Sequence, residues 1–389
     1  MPFQTNTQIA IIGGGVCGTW LLNQFSSQGY QTLLFEKENL GAGQSLASQG
    51  MIHGGIKYTL GGFTTPASES IALMPSVWRD CINGHGQVDL SGSKILSETY
   101  HMFSDGALAS KVTAFFGSKS LRGRINSLDR NDYPSVFDNA RFKGALYALE
   151  DLVLDTPSLM QQLSQPYASS IYQDAPSINT DAKGKVTGIT LATGDVVRAD
   201  LYIFAAGAGN EALMRDANIN SISMQRRPLH QVVVKGKLPT IYAHAVSLRA
   251  AAKPRVTFTT HECQDGESVW YLGGNLAETG VGKSSEEQIQ VAQKELHDLL
   301  PWVDLTKMQW SSFNIDRAEP SQSSNTRPDY PFVEMFENVM VCWPTKLTLT
   351  PMLANLAVDK VSFSPKFIEA PNYNLPHATT GKAPWDDLF

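Results

Sequence analysis

Between Gln8 and Lys37 the chain reads QIAIIGGGVCGTWLLNQFSSQGYQTLLFEK, and no other segment constrains its fold as strongly. Ile9–Ile12 is a short unbroken apolar run, as in a strand buried on both faces of a parallel sheet. Gly13, Gly15 and Gly18 follow at once in GxGxxG spacing. Trp20, Leu21, Leu22 and Phe25 then predict a helical apolar stripe ending near Gly29, and Thr32–Phe35 predicts a second strand closed by Glu36. Each glycine has its own task. Gly13 permits the tight turn, Gly15 lets the backbone approach a pyrophosphate, and Gly18 lets helix and strand pack closely. The unbonded N–H groups at the helix start face the anion. Glu36 lies 18 residues beyond Gly18, where a carboxylate can accept both hydroxyls of an adenosine ribose and would repel a 2′-phosphate. The segment therefore predicts a βαβ dinucleotide site for an unphosphorylated ribose, as in FAD or NAD.

A second cluster of small residues, LGAGQSLASQGMIHGGIKY at 40–58, has no task in a nicotinamide dehydrogenase. It suits a larger cofactor that stays bound, with the loop around its second phosphate and its isoalloxazine ring. With 389 residues, 42% hydrophobic and 17% charged, the chain is long enough for two domains at roughly 100–200 residues each. Lys and Arg total 31 against 37 Asp and Glu, a formal charge of −6 with no basic block. That argues against nucleic acid as a partner, since neutralising phosphates needs clustered Lys and Arg. Cys17, Cys81, Cys263 and Cys342 are scattered, so neither structural zinc nor a disulfide framework is expected, and the usage fits a reducing, cytoplasmic compartment. No apolar run reaches the ~18–20 residues of a membrane span, and no basic stretch precedes the first apolar run.

On the segments IIGGGVCG (11–18), LFEK (34–37), ASQGMIHGGIKY (47–58), ADLYIFAAGAGN (199–210) and WPTKLTLTPMLANLAVDK (343–360), the sequence resembles the FAD-dependent D-amino-acid-oxidase-like (DAO) superfamily. The glycerol-3-phosphate dehydrogenase and L-2-hydroxyglutarate oxidase branches are nearest, and the resemblance covers residues 8 to about 362. It implies an α/β chain: a Rossmann-like FAD-binding domain with a second, α+β substrate domain on a largely antiparallel sheet. The FAD-binding domain would be assembled from 1–85, 145–220 and 326–365, and the substrate domain from 86–144 and 221–325. Residues 366–389, with little periodicity and several prolines, are expected to be a surface-packed or frayed tail.

The resemblance also implies residue roles. Gly13, Gly15, Gly18, Glu36 and Lys37 would hold the adenosine pyrophosphate half. Ser45, Ser48, Gln49 and Gly50 would line the ribityl and pyrophosphate region, with Ile52 and His53 close to the ring and Ala206–Gly207 closing over it. Thr345, Lys346, Leu347 and Thr348 would approach the other side, ahead of a helix whose N-terminus favours the reduced, anionic flavin. Covalent attachment is not favoured. His230 is the expected proton acceptor as hydride leaves for flavin N5, imidazole having an ordinary pKa of about 6.5; ordering the domain junction is its alternative role. His53 either faces cofactor and substrate or supports its turn. Arg317 in NIDRAEP would pair with a carboxylate or phosphate, with Lys346 and Arg327 adding positive charge, Asn275 a neutral hydrogen bond, and Lys57 and Tyr58 further contacts.

The expected reaction is hydride transfer from a small anionic hydroxyacid, polyol phosphate or amino acid. Oxygen, a quinone or a protein would accept the electrons, and a quinone would bring the enzyme to the membrane periphery. Two departures from the family pattern stand out. Asp316 precedes Arg317 where glycine is usual, with Ala318–Glu319 separating it from Pro320, and Pro344–Thr345–Lys346 replaces a GGK motif. They motivate the alternative of a flavin-binding accessory or assembly protein without independent turnover.

Overall fold

In the computed structural model, which describes residues 4–55, 70–104, 125–246, 253–323, 326, 328–366 and 373–389, the N-terminal apolar run forms the strand Gln4–Ile12 inside an eight-stranded sheet. Thr32–Glu36 and Val196–Phe204 flank it in parallel. Ile171–Gln173 and Val339–Trp343 continue the parallel order on either side. Alternate residues of the first strand feed two cores, as a strand covered on both faces requires. Ile9 and Ile11 pack with the helices Val16–Ser27, Thr156–Ser164 and Thr350–Asp359, while Ala10 and Ile12 pack with Phe35, Tyr202 and Trp343. Asp155 caps the second of these helices by accepting from Ser158 N at 2.9 Å.

The second sheet has the strand order Gln309–Pro320, Met224–Gly236, Ser268–Gly273, Val256–Glu262, Ala243–Val246, Tyr100–Ser104, Leu146–Leu149, Ile125–Ser127. Every pairing but one, Tyr100–Ser104 with Ala243–Val246, is antiparallel. Its two faces differ. Val232, Val234, Trp270 and Leu272 meet Ala292 and Leu296 of the helix Ser285–Leu299, which starts with a capping box between Ser284 and Glu287. Val233, Val269 and Tyr271 point the other way, onto Trp385. On that second face the Tyr271 hydroxyl donates to Ala47 O at 2.7 Å, and Gln49 Nε2 donates to Tyr271 O at 2.9 Å. This face is therefore the one turned toward the small-residue loop of the first domain.

Two expectations are corrected. Leu146–Leu149 belongs to the second sheet, so the chain returns to the first domain after Leu149 and not at residue 145. Residues 373–389 are neither frayed nor merely laid on the surface. Leu40 N donates to Thr379 O at 2.8 Å and Gln173 N to Pro376 O at 2.7 Å, holding them to the cofactor domain. Trp385 then stacks 4.2 Å from His261 and lies 5.5 Å from Tyr271, in the substrate domain. Burial there pushes the His261 imidazole down to about 3. Among the described residues, no helix is long and apolar enough to cross a membrane.

Candidate active site

The fingerprint glycines shape a cradle that side chains would fill. Gly13 has φ +112°, and a Cβ there would stand 2.5 Å from Ala206 Cα. A Cβ on Gly18 would stand 1.9 Å from Gly13 O, so this glycine sets the helix–strand contact. Gly15 differs: its Cβ would meet only Ser45 Oγ, at 3.1 Å. The space above it is bounded by the Ser45 hydroxyl, which accepts from Val16 N at 2.9 Å at the helix start. Glu36 closes its strand beside the same loop, accepting from Gly14 N at 2.6 Å and Glu38 N at 3.0 Å. A pyrophosphate above Gly15 with a ribose toward Glu36 fits this arrangement. The Lys37 amine, just after the same strand, pairs with Glu38 at 3.0 Å in solvent.

The small-residue loop continues from this cradle to the substrate sheet. Gln44 accepts from Ala318 N at 3.0 Å and lies beside Gly207, whose carbonyl accepts from Trp343 Nε1 at 2.9 Å. Ala206 N donates to Asn210 Oδ1 at 2.8 Å. Ser48 Oγ accepts from Gly50 N at 3.3 Å; Gly50 sits so close to Leu154 O that a Cβ would be 2.0 Å from it. Ile52 is buried against Leu152, and His53 is locked by Thr348, whose hydroxyl accepts from His53 N at 3.0 Å and lies 3.2 Å from His53 O. Gly54 N donates to the buried Asp151 carboxylate at 2.7 Å, and Trp78 Nε1 donates to Thr348 O at 3.1 Å. Residues 44–54 and 345–348 are thus one assembly, with Leu347 at its edge just before the helix Thr350–Asp359.

Thr345 in that assembly has φ +60°, a left-handed conformation that a β-branched residue adopts only under local constraint. Its hydroxyl donates to Tyr330 O at 3.2 Å. Lys346 turns back on the same segment, its amine donating to Asp329 O at 3.1 Å with the Asp329 carboxylate 3.9 Å away. The contacts described for Lys346 brace the loop.

On the substrate sheet, strand alternation decides which residues face the loop. Phe313 stacks on Tyr271, so Ile315 and Arg317, two and four residues on, share that face. Arg317 Nε donates to Arg227 O at 3.3 Å, and Nη1 and Nη2 each reach Glu278 Oε1 at 3.4 Å. Glu278 also binds Lys253 through its other oxygen. Burial raises the Glu278 carboxyl, but Lys253 and Arg317 together override that and hold it below its ordinary value. The neighbouring Glu319, almost fully buried, is paired with Arg227 and accepts from Gln225 Nε2 at 3.2 Å.

By the same alternation His230 falls on the opposite face from Arg317, not on the one turned toward the cofactor loop. It shares parity with Val232 and Val234, facing the helical layer. Nδ1 lies 3.1 Å from Gly280 O and Nε2 2.9 Å from Ser312 Oγ, and the ring is 2% exposed. Both nitrogens are engaged on the side of the sheet away from the cofactor loop. Asn275 opens the short helix Asn275–Thr279, its N–H donating to Pro254 O at 2.9 Å and its carbonyl accepting from Thr279 Oγ1 at 2.9 Å. Lys57, Tyr58 and Arg327 lie outside the described residues. Sequence reading missed Gln44, Trp78, Asp151 and Glu278. Asp151 carried a faint signal, as a carboxylate set between two apolar runs in ALYALEDLVLD.

The DAO family model, described as FAD dependent oxidoreductase, matches residues 8–342. The probable FAD-dependent oxidoreductase PA4991 of Pseudomonas aeruginosa is 44% identical over 357 residues, covering 91% of this chain and 90% of its own length. Its crystal structure superposes with a TM-score of 0.85, at 37% identity over 99% of both chains. Glycine oxidase from Geobacillus kaustophilus (17% identity, TM-score 0.63, covering 91% of this chain and 94% of its own) shares the fold. So does L-α-glycerophosphate oxidase from Mycoplasma pneumoniae (15%, TM-score 0.64, covering 95% and 99%). With a cradle that fits the cofactor and a family match across most of its length, the chain belongs to the DAO family of FAD-dependent oxidoreductases and is a flavin-dependent enzyme.

Proposed function

We propose that the enzyme oxidises the carbon–nitrogen bond of a small amino acid, with Arg317 anchoring the substrate carboxylate on the sheet face turned toward the cofactor loop. The observation that carries this reading is the division of the substrate sheet. By strand alternation Arg317 shares the parity of Phe313, on the side of Tyr271, and the histidine expected to take an alcohol proton shares that of Val232 and Val234. An alcohol needs a base for its O–H proton as hydride departs, whereas an amine that binds neutral has already lost its proton to solvent. The described histidines on the loop-facing side of the sheet, His244 and His261, are 0% and 2% exposed, packed against Tyr100 and Trp385, and His53, on the loop itself, is 6% exposed with its backbone held by Thr348. This reading narrows the expected substrate range away from polyol phosphates and hydroxyacids.

In the proposed reaction the α-carbon gives up a hydride and the nitrogen lone pair forms the C=N bond, leaving an imine that water hydrolyses. Bound FAD supplies the two-electron hydride acceptor, and Gly13, Gly15, Gly18, Glu36, Ser45, Ser48, Gln49 and Gly50 are the residues proposed to hold it. Arg317 orients the substrate through its carboxylate, and the His53–Thr348 pairing keeps the loop beside the ring rigid. An external acceptor, whether oxygen, a quinone or a redox protein, closes the cycle.

The test is anaerobic cofactor reduction against a panel of amino acids, 2-hydroxyacids and polyol phosphates. Amino acids are expected to bleach the flavin, and Arg317→Met to weaken their binding by about 100-fold, the scale of a lost charge-assisted pair. Bleaching by polyol phosphates alone, or unchanged affinity in Arg317→Met, contradicts the proposal. A second expectation concerns His230→Asn. It should cost about 1–3 kcal/mol in stability through the buried partners left behind. Reduction rates should stay within about threefold, against the 10²–10⁴-fold loss that removing a general base brings. Urea unfolding and stopped-flow reduction check the two halves.

A further inference from the structure

Arg317 is already engaged by a carboxylate of the protein itself. Both of its terminal nitrogens converge on one oxygen, Glu278 Oε1, each at 3.4 Å. That is an end-on, stretched contact, and a free carboxylate could replace it with two shorter parallel bonds in the fork geometry arginine favours. The second oxygen of Glu278 is held by Lys253. The glutamate therefore has a place to remain when Arg317 is taken from it. Arg317 and Glu278 are each only 26% exposed at the side chain, whereas Lys253 is 60% exposed. The cation that keeps the glutamate is thus on the solvent side, and the one that yields is the more enclosed.

We propose that Glu278 is a built-in competitor for the substrate carboxylate: it occupies Arg317 until substrate displaces it onto Lys253, and so sets the affinity of the site for monoanions. The inference rests on Arg317 being the anion anchor, as proposed above. Without substrate Glu278 offsets the charge of the half-buried Arg317 guanidinium. With substrate bound, the Glu278–Lys253 pair keeps the local charge balanced. A ligand carrying a second negative charge would meet Glu278 directly, so the same device disfavours dianions.

The holoenzyme can be tested with pivalate, a carboxylate with no α-hydrogen to lose, and with its neutral counterpart pivalamide, following binding by perturbation of the bound flavin spectrum. Glu278→Gln should tighten pivalate about fivefold. Lys253→Met, which leaves Glu278 with Arg317 alone, should weaken it by a similar factor, and neither change should move pivalamide. A merely structural role for Glu278 would shift both ligands together. If Arg317→Met abolishes pivalate binding while Glu278→Gln leaves it unchanged, the competitor role is overturned and the anchor stands. If Arg317→Met leaves pivalate binding intact, the anchor fails and the competitor role fails with it.

Discussion

Gly15→Val is expected to yield a folded but colourless protein, whereas Gly18→Val is expected to yield no stable protein. The two glycines belong to one motif but guard different spaces. A Cβ on Gly18 would lie 1.9 Å from Gly13 O, a backbone atom in the turn that joins strand to helix, and nothing flexible can yield there. A Cβ on Gly15 would lie 3.1 Å from Ser45 Oγ and near no backbone. The valine is thus accommodated by the chain and excluded only by the cofactor, whose pyrophosphate needs that space. FAD affinity should fall by about 100-fold or more in Gly15→Val, with an unchanged far-ultraviolet circular dichroism spectrum. Stoichiometric flavin in purified Gly15→Val would remove the cofactor from this cradle.

The second large effect lies at the other end of the chain. Trp385→Ala should destabilise the protein by about 3–5 kcal/mol, the usual cost of emptying a large buried aromatic site. Trp385 is 1% exposed and packs on both His261 and Tyr271. Tyr271 in turn donates to Ala47 O, so the indole supports the strand that meets the cofactor loop. The segment carrying it is fixed to the first domain at Leu40 and Gln173, which makes it a strap between the domains. Loss should show as a lower urea midpoint and faster flavin release together. A change below about 1 kcal/mol, as for an ordinary surface substitution, would mean that the strap bears no load.

The cofactor half of the molecule was legible because its instructions are local. A strand, three glycines, a helix and an acid each act within a few residues of one another. The substrate half was harder, for a physical reason. Its long strand Met224–Gly236 reads Val232–Val233–Val234 after His230 and Gln231, apolar on both faces because both are covered, so no polar alternation reveals where His230 points. Only the pairing with Gln309–Pro320 fixes it. The Arg317–Glu278 contact joins residues 39 apart through a short helix and carries no periodic signal. The anchoring of the final segment carried no sequence signal because its described residues form almost no regular structure; they set single aromatics, Tyr373 and Trp385, into sites prepared by other strands.

The most direct test of the central claim is the pH dependence of anaerobic flavin reduction, measured by stopped flow with two amino acids whose amino groups differ in pKa. If the substrate arrives as a neutral amine and no histidine serves as base, the rate constant over Kd should rise with pH along a single ionisation. That ionisation should shift with the substrate. An ionisation fixed near about 6.5 for both substrates is that of an imidazole and not of the amine. It would contradict the account and point to His53 as the base.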